Sequence, residues 1–324
     1  MRFLHSQPLP TRDFAASTTL GPLDLPVNPL SLILLGFEIT ATDPTALDVY
    51  SAIDDLLTNV TSVIVKHKGE NIISGQLRDL VAVNGLTGGR WPGADRWDKT
   101  NNGVRRIVVP LGFGRKSYDK DEAFPATSRG NLTLEMTRGA NPAGFDDLNV
   151  IVETVELIEA DPARYLKYTP QSMTPVVGSN DLSLPIGNPY ARIVCFDTGI
   201  ATLNTGLSSF GQIKLLKDNV EQYYPNSDAV QLAAMLNMQR KGFGAWMGHV
   251  HQFNGAAAGL DDSDEAEELI STGMRGYFQE DFDPNGDGAY LLETAGAADL
   301  KFRFVATSAT AVRATPVELV TVKK

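Results

Sequence analysis

Short runs in which apolar and polar residues alternate recur along most of the chain. GNLTLEM, from Gly130, and ADLKFRF, from Ala298, each place an apolar side chain at every second position. Successive side chains of a strand point to opposite faces of a sheet, so this period of two predicts strands with one buried face. Turn sequences such as NPAGFDD and DPNGDG separate the runs at close spacing. The pattern predicts about six to eight short strands in each half of the chain, in antiparallel sandwiches with Greek-key or jelly-roll connections.

Helical periodicity is limited to a few segments. The clearest is DPTALDVYSAIDDLLTNV, in which Asp43 is placed as the N-cap and Pro44 stands in the first turn. Two shorter segments with apolar residues at helical spacing begin at Ser74 and Ser227. These helices are expected to cover the ends of the sheets. The predicted fold class is therefore all-β, with a few short helices.

The two halves of the chain repeat the same order of segments. SGQLRDLVAVN in the first half resembles SDAVQLAAMLN in the second, and each follows an alternating segment with a charged turn. Three further pairs keep this order, namely LSLILLGFEIT with ARIVCFDTGIAT, GNLTLEM with ADLKFRF, and VELI with VELV. Any one of these short matches is compatible with chance, but four in the same order indicate an internal duplication. The sequence therefore predicts two similar domains in one chain.

The duplicated halves are separated by LKYTPQSMTPVVGSNDLSLPIGNPY, from Leu166 to Tyr190. This segment is rich in Pro, Gly, Ser and Asn and has no periodicity, which is the composition of a linker. We place the domain boundary near Thr174. The predicted domains are an N-terminal jelly roll with an N-terminal arm, residues 1–173, and a linker with a C-terminal jelly roll, residues 174–324.

Composition and charge exclude several classes of protein. With 324 residues and 43% hydrophobic content, the chain can bury a core for one large or two medium domains. A net charge of -11 repels nucleic-acid backbones, so direct nucleic-acid binding is not expected. The start MRFLHSQPLPTRDF lacks the apolar core of a signal peptide, and the strongest apolar run, Leu30 to Phe37, is too short for a membrane helix. The single cysteine, Cys195, allows no disulfide within the chain and no cysteine-based zinc site.

An acidic segment near the C-terminus, DFDPNGDGAYLLE, resembles a calcium-binding loop. Asp281, Asp283, Asn285 and Asp287 can offer oxygens around a cation, with a glycine at the turn. Position twelve of the loop, however, is Leu292, where a glutamate ligand is expected. The corresponding segment of the first half, SYDKDEAF, is also acidic, which favours a solvated turn between strands. The alternative is a structural calcium ion that stabilises the loop or an interface.

The sequence contains no recognisable catalytic motif. It has no nucleophile elbow, no zincin helix and no dinucleotide-binding glycine fingerprint, and it has only four histidines. His249 and His251 have the spacing of two metal-binding imidazoles on a strand, but an exposed or packed pair without a metal is favoured, because no cysteine or carboxylate is fixed nearby in the sequence. We therefore expect no enzyme, no catalytic residue and no cofactor other than the calcium ion discussed above.

Three tryptophans lie in glycine-rich segments. Trp91 and Trp97 fall in NGLTGGRWPGADRWDKTNNG, and Trp246 falls in KGFGAWMGHVHQFNGAAAGLDDSDEAEEL; both segments are predicted to be loops displayed at the ends of the sandwiches. Such tryptophans pack locally or against a neighbouring subunit more often than they bind a ligand. All three are therefore candidate anchors of a subunit interface.

Several of these segments occur in an order that is known from a protein family. In the first half they are IVKHKGENIISGQLRDLVAVNGL, RRIVVPLGFGR, AFPATSRGNLTLEM and LNVIVETVEL, and in the second half they are IKLLKDNVEQYYPNSDAVQLAAMLN and ADLKFRFVATS. Over nearly the whole chain, this arrangement resembles the double jelly-roll major capsid proteins of tailless icosahedral DNA viruses, the lineage of the adenovirus hexon and the membrane-containing phages. The resemblance implies a homotrimer with six near-equivalent corners that tiles an icosahedral capsid.

The resemblance also implies where the protein acts and what it contacts. It implies synthesis in the host cytoplasm and incorporation into the virion capsid. The implied partners are other copies of the chain, penton or minor capsid proteins and an internal viral membrane. The N-terminal segment, with Arg2 and Arg12, is then an arm that faces inward or clasps a neighbour, or else a disordered tail.

Two other functions fit the sequence. One is a calcium-dependent carbohydrate-binding or carbohydrate-active protein of two sandwiches, in which the acidic loop binds calcium and the tryptophans stack on sugars. The other is a minor or vertex capsid component with the same fold. A glycan array separates the first from a major capsid protein, and the copy number in purified virions separates the second.

Overall fold

The computed structural model describes residues 2–41, 55–97, 104–142, 145–197, 210–223, 227–229, 231–232 and 276–322. These residues form mainly antiparallel strands, and a helix, α1 (Leu77–Gly88), follows the fifth strand. The strands are β1 (Arg2–Asp13), β2 (Thr19–Asp24), β3 (Leu30–Ala41), β4 (Ser62–His67), β5 (Glu70–Gly75), β6 (Gly93–Trp97), β7 (Val104–Gly112), β8 (Leu132–Thr137), β9 (Phe145–Ile158), β10 (Arg164–Tyr168), β11 (Gln171–Met173), β12 (Gly178–Ser183), β13 (Tyr190–Asp197), β14 (Gln212–Lys217), β15 (Val220–Glu221), β16 (Ser227–Asp228), β17 (Tyr277–Asp281), β18 (Leu300–Ala306) and β19 (Val312–Thr321).

Helix is a minor component of the fold, as predicted. The helix α1 is the one predicted from Ser74, and it begins a few residues later because Ser74 still pairs within β5. Residues 55–59 of the segment predicted from Asp43 are helical, and Asp43 itself lies outside the described residues. In the segment from Ser227, the first two residues form β16 and helical backbone begins at Ala229.

The chain divides into two compact units. The described residues of the first unit are those up to Leu166 together with Val322, and those of the second unit lie between Lys167 and Thr321. The sequence placed the boundary near Thr174, between domains 1–173 and 174–324. The division falls earlier because β11, which ends just before Thr174, already pairs with β19 of the second unit. The segment with linker composition therefore contains two short strands, β11 and β12, that belong to the second unit.

The first unit consists of two antiparallel sheets. One has the strand order β1-β9-β3-β7-β6, and in the other β2, β8, β4 and β5 are neighbours in that order. Burial alternates along β7 and β8, which belong to different sheets. Ile107, Val109 and Leu111 are buried on the first sheet, and Leu132 and Leu134 are buried on the second. This alternation is the period of two seen in the sequence.

The second unit repeats this arrangement. In one sheet β13 lies between β17 and β19, and β11 pairs with β19; in the other the order is β12-β18-β14-β15, and β16 pairs with β14. A single hydrophobic cluster includes residues of both sheets. At its centre the Phe210 ring contacts Phe278 edge to face at 5.1 Å and Phe302 at 5.5 Å. Because Phe278 belongs to β17 and Phe302 to β18, the two sheets form a sandwich.

The predicted duplication is confirmed at the level of individual hydrogen bonds. In the first unit the Asn28 side-chain amide donates to Glu156 Oε2 of β9 at 2.6 Å. In the second unit the Asn188 amide donates to Glu318 Oε2 of β19 at 2.7 Å. Each glutamate belongs to one of the matching VELI and VELV segments. Each unit is thus a jelly-roll sandwich built on the same plan.

A tight hairpin turn also occurs twice. Lys68 and Gly69 join β4 to β5 with φ angles of 50° and 84°, and Asp218 and Asn219 join β14 to β15 with φ angles of 53° and 63°. Two consecutive residues with positive φ define the turn that matches the twist of two-residue hairpins. In the second unit the Asp218 carboxylate accepts hydrogen bonds from backbone N–H groups, which lower its pKa.

Candidate functional site: acidic loop and exposed surfaces

The acidic loop follows β17 and uses its carboxylates to hold its own backbone. Asp281 Oδ1 accepts a hydrogen bond from the Asp283 N–H at 2.9 Å, and Asp283 Oδ1 accepts one from the Gly288 N–H at 2.7 Å. Asp287 Oδ1 accepts one from the Ala289 N–H at 2.9 Å. Carboxylates that accept from the backbone a few residues on stabilise turns without any ion. The loop is therefore a series of turns fixed from within.

The four residues predicted to bind calcium have different environments. Asp283 is only 2% exposed, whereas Asn285 and Asp287 are exposed to solvent. Asp281 lies 3.5 Å from an Arg192 guanidinium nitrogen. Within the part of the chain that the structure describes, no group of three or more His, Cys, Asp or Glu side chains is arranged to hold a metal ion. Calcium binding stays a prediction, and the thermal midpoint measured with calcium and then with a chelator checks it, because a bound ion raises that midpoint.

The corresponding acidic segment of the first unit contains a buried ion pair. Asp119 Oδ1 accepts from the Asp121 N–H at 2.9 Å, which gives the same kind of turn. Glu122 is 3% exposed and lies 2.5 Å from Arg115 and 3.1 Å from Arg164. Burial acts to raise the pKa of Glu122, but hydrogen bonds from Arg115 and the charges of both arginines outweigh it, so this pKa is lowered. Glu122 is thus a structural anion of the first jelly roll.

Trp91 packs on the helix of its own unit. The ring lies against Gly85 of α1, where an added Cβ would come within 2.3 Å of Trp91 Cζ3. The side chain is half-buried. The segment predicted to be a loop is partly regular structure, because α1 extends to Gly88 and β6 (Gly93–Trp97) pairs with β7. Local packing therefore accounts for much of the apolar surface of Trp91.

We expect Gly85→Ala to destabilise the first jelly roll by about 1–2 kcal/mol, because the cost of overpacking exceeds the gain in helix propensity. The Trp91 ring must move to make room, so tryptophan fluorescence should change together with the thermal midpoint. The matched control is Gly93→Ala, where a Cβ meets nothing within 4 Å. A Gly85→Ala chain as stable as the Gly93→Ala control would contradict this packing.

Of the other two predicted interface anchors, the structure describes the backbone of Trp97. Trp97 is the last residue of β6, and its backbone pairs with Arg105 of β7. Trp246 lies outside the described residues, as do His249 and His251. An interface role for Trp91, Trp97 and Trp246 stays a prediction.

The N-terminal segment is an ordered strand that exposes apolar side chains, which the sequence analysis did not identify. β1 pairs with β9 at the edge of its sheet, with two register shifts along its length. Phe3 is 62% exposed and its ring meets Tyr118 edge to face at 5.4 Å, and Leu4 is 48% exposed. Clustered exposed apolar side chains are a feature of interaction sites. β1 lies near the start of the first unit in the sequence and its partner β9 lies near the end, so no local sequence signal could have revealed that they pair.

An open cavity of about 480 Å³ lies beside β1 and β2 in the first unit. Of its two acidic lining residues, Glu156 is the buried one, at 3% exposed, and it accepts hydrogen bonds from Ser6 Oγ at 2.6 Å and from Asn28. None of its lining residues is aromatic, so it offers no stacking platform for a sugar ring. The lining residues are Ser6, Gln7, Pro8, Asp24, Leu25, Pro26, Val27, Arg129 and Glu156.

Comparison with known proteins identifies the fold. No protein-family model matches the sequence, and no curated protein matches it by sequence. The crystal structure of the major capsid protein of bacteriophage PM2 superposes with a TM-score of 0.60 and 13% identity, over 100% of this chain and 99% of that chain. A chain from the atomic structure of Sulfolobus turreted icosahedral virus gives a TM-score of 0.66 and 15% identity, over 99% and 91%. A chain of the PBCV-1 virus capsid gives 0.56 and 9% identity, over 98% and 93%.

These similarities extend over both jelly rolls and confirm the predicted all-β double jelly roll. At such low identities they establish the fold alone. No helix among the described residues has the length and apolar character that crossing a membrane requires.

Proposed function

We propose that this chain is a viral major capsid protein that assembles as pseudo-hexameric trimers into an icosahedral shell. The observation that carries the proposal is the pair of jelly rolls in one polypeptide, built on matching hydrogen bonds and shared in full with capsid proteins. The role is structural, with no catalytic residue and no cofactor required.

The duplication has a direct physical consequence for assembly. Two similar sandwiches in each chain give a trimer six similar corners, although its true symmetry is threefold. Each favourable contact is repeated by symmetry, so modest contacts between single subunits add up over a lattice. A hexagonal tile can therefore be built from one gene product.

The partners follow from this role. They are other copies of the chain within the trimer and across the lattice, penton or minor proteins at special positions, and an internal viral membrane beneath the shell. The protein is then made in the host cytoplasm and resides in the virion. The exposed apolar side chains Phe3 and Leu4 in the first unit, and Val176 and Val177 in the second, support the presence of protein contacts.

The purified chain is expected to sediment as a trimer of 35.0 kDa subunits and to form hexagonal tiles or closed particles. Analytical ultracentrifugation measures the trimer, and negative-stain imaging detects the particles. A chain that stays monomeric at high concentration and never forms particles would contradict the proposal. Binding on a glycan array would instead favour the carbohydrate-binding alternative, and a low copy number per virion would favour a minor or vertex component.

A further inference from the structure

A buried carboxyl group lies inside the second jelly roll. Glu280 of β17 stands opposite Ile193 of β13, and both belong to the inward face of their sheet. Phe278, two residues before Glu280 and hence on the same face, is part of the core cluster. Glu280 is 0% exposed. Its side chain is therefore enclosed by the apolar core.

Among the described residues, the side-chain carboxyl group of Glu280 has no hydrogen-bond partner. Both of its carboxyl oxygens are buried and unsatisfied, which distinguishes it from other buried acids among the described residues. Asp197, for example, accepts a hydrogen bond from the Phe210 N–H at 2.9 Å. Among the described residues, the titratable groups that reach this core from β13 are Tyr190, Cys195 and Asp197, and none of them is a cation. The residues that β12, β14 and β18 contribute to the core cluster are apolar. A buried polar group without a partner costs stability, because it loses its hydrogen bonds to water and gains none.

The duplication provides an internal reference for this position. In the first jelly roll Leu111 of β7 lies opposite Ile33 of β3, just as Glu280 lies opposite Ile193. Leu111 is 0% exposed as well. The same plan therefore places a leucine in one core and an unpaired glutamate in the other.

We propose that Glu280 destabilises the second jelly roll, so that this jelly roll unfolds transiently, and exposes its core, more readily than the first. The physical cause is the unpaired carboxyl group, which the first jelly roll replaces by Leu111. Burial raises the pKa of Glu280 well above its ordinary value, in keeping with a group held away from water. The proposal concerns the folded chain itself and does not rest on its role in a capsid.

The chain contains a natural reporter of this opening. Cys195 is the single cysteine, is 0% exposed, and lies on β13 opposite Phe278. A thiol reagent reacts with it only when the second jelly roll opens. The rate of labelling of the folded full-length chain, divided by the rate for the urea-unfolded chain at the same pH, measures that opening.

We expect Glu280→Leu to slow labelling of Cys195 by at least about tenfold at neutral pH, because the unsatisfied polar group is removed. Glu280→Met, whose side chain adapts to irregular space, should slow it similarly.

The matched control reports on the first jelly roll. Leu35 occupies the position of Cys195 in the twin unit, since it lies opposite Val109 as Cys195 lies opposite Phe278. A Leu35→Cys variant in a Cys195→Ala background labels when the first jelly roll opens, and Glu280→Leu should leave its labelling rate unchanged. The proposal is overturned if both Glu280 variants label at Cys195 as fast as the native chain, or if Glu280→Leu slows labelling of the Leu35→Cys thiol as much as it slows labelling of Cys195.

Discussion

Leu111→Glu is expected to destabilise the first jelly roll by about 3–5 kcal/mol near pH 7, because it introduces an unpaired carboxyl group into a closed apolar core. Leu111 is fully buried in β7, at the position that Glu280 occupies in the second unit. The change thus transfers the second unit's buried acid into the first. Urea unfolding followed by labelling of the Leu35→Cys thiol measures the loss.

The effect of Leu111→Glu should depend on pH in a defined direction. In the unfolded chain the carboxyl loses its proton near its ordinary pKa, whereas in the core burial keeps it protonated to higher pH. The folded state therefore holds more protons, and stability falls as pH rises above the ordinary value. The destabilisation caused by Leu111→Glu should therefore be smaller near pH 4 than near pH 7. The difference is about 1.4 kcal/mol for each pH unit of this interval that lies between the unfolded-state pKa and the folded-state pKa of the introduced carboxyl group. Leu111→Gln, which cannot titrate, is the control, and an equal penalty for Leu111→Glu at both pH values would contradict the argument.

The same reasoning applies to the native chain. The pKa of Glu280 is raised well above the ordinary value by burial, so this group weakens the second jelly roll as pH rises from the ordinary glutamate pKa towards neutrality. The first jelly roll, with Leu111, lacks this contribution. Glu122, one of its own buried acids, has a lowered pKa and acts in the opposite direction.

The sequence predicted the strands and their duplication well, because both depend on local alternation. Strands such as β8 and β18 bury every second residue, and that pattern is visible without any tertiary information. The matching of VELI and VELV was informative because each glutamate accepts the same hydrogen bond from an asparagine. The hydrogen bond that both units share is therefore accompanied by a sequence that both halves share.

Features that depend on distant partners could not be predicted. The N-terminal strand pairs Phe3 with Leu157, and nothing near Phe3 in the sequence indicates that partner. In YFQED the alternation places Glu280 on the same face as Phe278, but a glutamate is normally assigned to solvent, so its burial was not recognised. The acidic loop posed a different difficulty, because the carboxylates of Asp281 and Asp283 can serve a cation or the loop backbone with the same atoms.

Glu122→Gln is expected to destabilise the first jelly roll by about 2–4 kcal/mol near pH 7, because it leaves Arg115 with a neutral partner in a buried site. The Arg115 and Glu122 side chains are only 10% and 4% exposed, so solvent screens this pair little. The sign of the pH dependence follows from the lowered pKa of Glu122. Its stabilising contribution is complete above the ordinary glutamate pKa and is lost as pH falls through the folded-state value. The native chain should therefore lose this stability in acid, whereas the stability of the Glu122→Gln chain should depend less on pH.

Glu135→Gln is the matched control for Glu122→Gln. It breaks a half-exposed ion pair with Lys66 at 2.6 Å and should destabilise the first jelly roll by less than about 1 kcal/mol. Equal losses for Glu122→Gln and Glu135→Gln in urea unfolding near pH 7 would show that burial of the Arg115 pair contributes nothing to the stability of the first jelly roll.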